Sequence, residues 1–240
     1  MMPSKSCTSP RARVFDLNGA LKVTISGFPA TQGGGPSERS PQITDLSWNS
    51  SRQLLVNASG KRLTSWDSKN GEQYTIEQSS SHQTEFIPVN HPVQFIPNTN
   101  QIISFSEGVF RILNSEGVEL KQWSANDKKI SHLNFSPNGL NFATISDSPA
   151  PDDRIVKIWD LNGNLTTILK GHQDSVVNAF FSQDGKCIVT SSLDRTVRLW
   201  DISGKEIDQI PGRFETALSP DNNYLATVNE DNDILVWRLK

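Results

Sequence analysis

Tryptophan–aspartate pairs, or close substitutes for them, return along this chain at a nearly regular interval, and that recurrence restricts the fold more than any other feature. The landmarks fall at Phe15, Trp66, Leu113, Trp159, Trp200 and Trp237, in steps of 37 to 51 residues. A second marker, the apolar residue closing a short run, falls at Trp48, Phe95, Phe135, Phe181 and Leu218 and drifts with the first. Two independent markers that move together signal a structural repeat of about 40 residues.

The clearest copy spans 171–204, GHQDSVVNAFFSQDGKCIVTSSLDRTVRLWDISG. Apolar runs VVNAFFS, CIVTSS and TVRLWDI alternate with the turn segments Gln183-Asp184-Gly185, Leu193-Asp194-Arg195 and Ser203-Gly204. Asp-Gly between β-rich runs favours a tight hairpin, because glycine accepts a positive φ. KEIDQI supplies a fourth strand, poorer in apolar residues as an outer edge strand should be. One unit is therefore a meander of four antiparallel strands. Its inner strands are apolar on both faces, so it cannot stand alone and needs neighbours on either side.

This unit resembles a WD repeat, one blade of a β-propeller, with Gly171-His172 at its front and Trp200-Asp201 at its back. The resemblance implies a buried tetrad of His172, Thr190, Asp194 and Trp200. An aspartate under a turn needs donors, and the imidazole, hydroxyl and indole can complete such a chain. It also implies an all-β propeller of four-stranded antiparallel blades. The run LWDLNGNLTTILKGH is similar in style to bacterial, especially cyanobacterial, WD arrays.

Taken in order, residues 1–10 are Ser/Pro-rich and expected to be a disordered leader, with the repeat region over 11–240. A partial unit occupies about 11–27, with Phe15-Asp16 in the Trp-Asp place, followed by a Gly/Pro/Ser loop over 28–41. Complete units are expected over about 42–78, 92–124, 129–170 and 171–210, and a last one over 212–240. The copy at 42–78 has Gly60 where the turn aspartate belongs. That at 92–124 has Leu113 for the tryptophan, and its Trp123 lies on an outer strand, where it is expected to matter much less than Trp200. Asp153 and Asp231 keep the distance to Trp159 and Trp237, but Gly212-Arg213 replaces Gly-His. About five recognisable blades and a half-blade result. Their strand count does not divide by four, which implies an incomplete or open ring, missing blades supplied by another segment, or self-association.

Charge and cysteine content exclude several partners. A net charge of −3 and pI near 5.8 provide no basic stripe for nucleic acid or an anionic membrane. No apolar run is long enough to span a bilayer, and the N-terminus lacks a signal-like segment. Cys7 and Cys187, the two cysteines, have no disulfide-like spacing, which suits a reducing, cytoplasmic setting.

The search for chemistry is mostly negative. His172, Ser191, Ser192 and an aspartate invite a hydrolase reading, but the Asp-to-Trp spacing recurs in units that lack the histidine, so packing explains it. His82, His91 and His132 have no second ligand at metal spacing. Ser59-Gly60-Lys61 has the wrong context for a phosphate loop, and Asp152-Asp153 reads as a solvated turn. No cofactor and no metal is expected. Rigid blades presenting short turns suit binding, and the resemblance implies the same: a non-catalytic protein-interaction scaffold for protein or peptide partners, not an enzyme. In such blades the contact face carries the turn before the third strand and the loop before the first. Here that face is Ser175, Asn178, Leu193, Arg195, Asp152, Arg154, Glu230 and Asn232. A second reading is a propeller enzyme or small-ligand sensor with its site at the central channel, for which the first strands offer only Asp45, His132 and Glu215. A third is a truncated remnant of a larger WD-repeat protein.

Overall fold

A computed structural model describes residues 12–15, 18, 20–25, 43–49, 53–58, 62–67 and 73–76, and 92–239 apart from 107, 126–128, 147–153, 214 and 230. The leader, the loops at 28–41 and around 79–91, Asp16, Gly60, His82, His91, Asp152, Asp153 and Glu230 lie outside these residues. The secondary structure is 21 β-strands among the described residues, all in antiparallel sheets.

Two compact units divide the chain. The first holds Met1–Phe95, Thr99–Ser104 and Arg111–Lys121. In it β1 (Ala12–Phe15) and β2 (Leu21–Ile25) form a two-stranded sheet, with a register shift between Val14 and Phe15. A four-stranded meander follows: β3 (Ile43–Trp48), β4 (Gln53–Ala58), β5 (Arg62–Asp67) and β6 (Gln73–Ile76). The next sheet, β7 (Val93–Phe95), β8 (Ile102–Ser106), β9 (Val109–Leu113) and β10 (Glu119–Ser124), contributes residues to both units. Within the first unit the Phe95 N–H donates to Ser47 Oγ at 3.0 Å. Leu113, in the tryptophan place, is buried with Val93, Phe95 and Ile102.

The second unit contains Gln122–Lys240 with Ile96–Asn98 and Phe105–Phe110. Its complete sheets are β11 (Ile130–Phe135), β12 (Asn141–Ser146), β13 (Ile155–Asp160), β14 (Leu165–Lys170), and then β15 (Val176–Phe181), β16 (Cys187–Ser192), β17 (Thr196–Asp201), β18 (Glu206–Pro211). A three-stranded sheet closes the sequence: β19 (Thr216–Leu218), β20 (Tyr224–Val228) and β21 (Ile234–Arg238).

In the β11–β14, β15–β18 and β19–β21 sheets side-chain alternation gives an aliphatic face and a face carrying the tryptophan, and packing sets the aliphatic face of one against the tryptophan face of the next. Ala143, Ile145, Val156, Ile158 and Leu169 of one sheet form a single core with Val176, Ala179, Phe181, Ile188 and Trp200 of the next. Val189, Val197, Leu199 and Ile210 then pack with Leu225, and Trp237 lies against them. The inner strands β16 and β17 are thus covered on two faces, which accounts for the near-continuous apolar runs CIVTSS and TVRLWDI.

Two local expectations change. The turn at Gln183–Gly185 is wider than a two-residue hairpin: Gly185 N–H donates to the Ser182 carbonyl and Ser182 N–H to that of Cys187. Asp184 causes this, because its carboxylate accepts from Ser182 Oγ and Lys186 N and organises a larger loop, with Gly185 still at φ +70°. Trp123 is not peripheral either. It is half-buried, with its ring 5.4 Å from Phe110 and 6.3 Å from Phe142, centroid to centroid. The turn after β13 lies across it: a Cβ added at Gly163, which has φ +85°, would stand 2.7 Å from the indole. Position on an outer strand did not reveal that the following turn covers the ring.

Candidate functional site

The β15–β18 sheet holds a polar chain in an otherwise apolar interior. Trp200 Nε1–H donates to Thr190 Oγ1 at 2.8 Å, Thr190 Oγ1 meets His172 Nε2 at 2.8 Å, and His172 Nδ1 meets Asp194 Oδ2 at 2.8 Å. Tryptophan can only donate and an ionised carboxylate can only accept, which fixes the direction. The threonine hydroxyl accepts from the indole and donates to Nε2, and the neutral imidazole donates from Nδ1. Burial pushes the His172 pKa down, and hydrogen bonding to Asp194 only partly opposes it, consistent with a neutral ring.

Asp194 is the acceptor end of this chain and also the centre of the turn above it. Oδ2 also accepts from Gln173 N–H at 2.9 Å, and Oδ1 accepts from Thr196 N–H at 2.9 Å and Thr196 Oγ–H at 2.6 Å. Burial alone would raise its pKa, but the donors on Thr196, Gln173 and His172 outweigh that and lower it to about 2. The carboxylate therefore locks the loop before β15 to the turn before β17. Leu193 N–H to Ser175 O and Ser192 Oγ–H to Asp174 O, both 2.9 Å, complete the lock.

Among the described residues, the β11–β14 and β19–β21 sheets show the indole–hydroxyl half of this chain. Trp159 Nε1–H donates to Thr144 Oγ1 and Trp237 Nε1–H to Thr227 Oγ1, each at 2.9 Å. Without a histidine to receive their protons, these threonines turn to the carbonyls of Lys157 and Pro211, both at 3.4 Å. The Thr144 pair was missed in the sequence because a longer turn separates it from Trp159.

Arg198 was also missed, and with it the reason for a glycine at 171. Arg198 is buried in β17 and pairs through Nη1 with Glu206 Oε2 at 2.6 Å. A Cβ on Gly171 would collide with that Nη1 and come within 3.1 Å of Trp200 Cη2. The available signal was a lone cation in the apolar run TVRLW, eight residues before a glutamate.

The structure brings Ser175, Leu193 and Arg195 together around this lock. Leu193 is 48% exposed, and Arg195 is exposed with φ +66°. Asn232, also exposed, occupies the corresponding turn before β21 with φ +64°, and half-buried Arg154 the one before β13. Asn178 lies inside β15, opposite Ser191. Both ring nitrogens of His172 are engaged, and Ser191 and Ser192 are buried, so this group holds a turn in place and does not resemble a poised nucleophile. Among the described residues no group of three His, Cys, Asp or Glu side chains is placed to hold a metal ion.

The WD domain, G-beta repeat family matches residues 117–160, 163–201 and 215–238. This is a WD-repeat chain. The first two of these matches begin at the outer strand of one sheet and end on the third strand of the next, so each straddles two blades, whereas the third stays within β19–β21. The chain is 30% identical to the WD repeat and SOCS box-containing protein 1 of Xenopus tropicalis over 74% of its own length and 41% of that protein. It is 22% identical to Periodic tryptophan protein 2 of Saccharomyces cerevisiae over 80% and 22% of the two chains. With the small ribosomal subunit protein RACK1y of Oryza sativa subsp. japonica it shares 32% identity over 46% and 33%. The WD-repeat chain thus spans less than half the length of these relatives. Among its described residues no helix is long and apolar enough to cross a membrane.

Proposed function

We propose that this WD-repeat chain is a non-catalytic protein-interaction scaffold that presents the turn Leu193–Arg195, with Ser175, Arg154 and Asn232 at the corresponding end of the blades, to a protein or peptide partner. The face as read from the sequence also includes Asn178, Asp152 and Glu230. The observation that carries this reading is the lock through Asp194, which fixes an exposed leucine and arginine on a turn that is itself anchored to a buried indole. A preordered turn gives up little conformational entropy on binding. One relative is a small ribosomal subunit protein by name, which supports binding work as the role of such repeats. The free thiol of Cys187 accords with a reducing, cytoplasmic location.

Affinity capture with the full chain tests the proposal. Leu193→Asp is expected to lose partners held by the wild type, while Lys186→Glu, in the turn between β15 and β16 at the opposite end of the strands, retains them. Capture unaffected by Leu193→Asp, or abolished equally by both, overturns it.

A further inference from the structure

We infer that the outward face of the β19–β21 sheet is a docking surface for a second copy of this chain, through the same face. In the two preceding sheets the corresponding face is hidden. Val156 and Ile158 are each 1% exposed, and Val197 and Leu199 are 0% and 8% exposed. Aligned on the third-strand tryptophan, the equivalents in β21 are Ile234 and Val236, and they are 73% and 65% exposed. Tyr224 of β20, paired with Arg238 and so on the same face, is 44% exposed. The surface has the chemistry of a blade interior and is open to water, which marks it as a contact surface.

Charge placement selects the occupant. The face is aliphatic in the middle, with exposed Arg238 at one end and exposed Asp231 and Asp233 at the other. A two-fold axis between Ile234 and Val236 lays the strands of two copies antiparallel. Ile234 of each copy then meets Val236 of the other, and each Arg238 comes over the opposing Asp231–Asp233 turn. An isologous interface requires this self-complementarity of a single patch, and face-to-face sheets can realise it. The apolar centre of this surface lies apart from the Leu193–Arg195 turn, and the two proposals share only the Asp231–Asp233 turn, which holds Asn232.

The test is light scattering with size-exclusion chromatography of the full chain over a micromolar concentration range, with thermal melts to confirm folding. The wild type is expected to dimerise. Ile234→Asp with Val236→Asp is expected to weaken the dimer at least about 100-fold, as loss of central apolar anchors does, without changing the melt. Arg238→Glu and Asp233→Lys are each expected to weaken it, and the two together to restore it. A wild type that stays monomeric, or a dimer indifferent to the aspartates at 234 and 236, overturns the inference. Should the apolar-site variant fail to fold, the charge exchange at exposed positions decides alone, and failure of the paired exchange to restore the dimer counts against it.

Discussion

Gly171 lies directly against the guanidinium of Arg198, with the far edge of the Trp200 ring beside it. No side chain can be added at 171 without displacing one or the other. The Gly of Gly-His is thus a matter of space, and its backbone is not in the left-handed region. Gly171→Ala is expected to cost about 1–3 kcal/mol, the usual range for overpacking a tight interior. If the clash with Arg198 is the cause, the loss shrinks in an Arg198→Ala background. Urea titrations of the four proteins give the coupling directly, and strict additivity would contradict the contact.

The Thr190 hydroxyl serves two partners, whereas that of Thr227 serves one tryptophan and a long contact to a carbonyl. Thr190→Val strands both the Trp200 indole and His172 Nε2 in a buried place. Its expected cost is about 2–6 kcal/mol, since each of the two orphaned groups accounts for roughly 1–3. Thr227→Val should lose about 1 kcal/mol, because Trp237 is only half-buried. Chemical denaturation that ranks the two equal would remove the extended chain as a source of stability.

Acid should weaken this blade in two stages. His172 has its pKa below the ordinary 6.5 when folded, so the unfolded chain takes up that proton first and stability declines as pH falls below about 6.5. Asp194 is held at about 2 against an ordinary 3.8, so its contribution, about 2 kcal/mol, is intact above about pH 4 and is lost as pH falls from there toward 2. Both groups act in the same direction, because in each case the unfolded state binds the extra proton. Unfolding free energies measured from pH 8 to pH 5 should slope less in His172→Asn than in the wild type. Equal slopes would mean that the imidazole does not titrate in this window.

The strand plan was legible because it follows from alternation and turn residues, both of which are local. The set His172, Thr190, Asp194 and Trp200 was legible only through the resemblance of this unit to a WD repeat, which implies it. Contacts between sheets left little trace. Trp123 looked peripheral because its own strand is an edge, and only the turn at Gly163, about 40 residues later, covers it. Arg198 was hidden because a cation inside TVRLW looks like an exception until Glu206 and the missing side chain of Gly171 explain it.

That correction makes Trp123→Ala informative. The ring touches Phe110 and Phe142 and lies under Gly163, so its loss is expected to cost about 3 kcal/mol, close to the lower end for a buried aromatic. Trp200→Ala, at a fully buried site with a hydrogen bond, should cost about 4–5 kcal/mol. Thermal melts in which Trp123→Ala is indistinguishable from wild type would restore the peripheral reading.

Arg195 offers a separation of stability from binding. An arginine at φ +66° is held in a conformation that L-residues adopt at a cost of roughly 1–2 kcal/mol. Asparagine tolerates it better and occupies the equivalent position at 232 with φ +64°. The turn is fixed by Arg195 N–H to Ser192 O at 3.2 Å and Gly212 N–H to Arg195 O at 3.1 Å, bonds that any side chain at 195 would permit. Arg195→Asn is therefore expected to stabilise the protein by about 1 kcal/mol, visible as a higher denaturation midpoint. If the turn is the contact surface, the same substitution weakens partner capture. An arginine held against its backbone preference on an exposed turn is a candidate for contact through its side chain. A variant that gains stability and binds as well as wild type would show that the guanidinium is not what the partner meets.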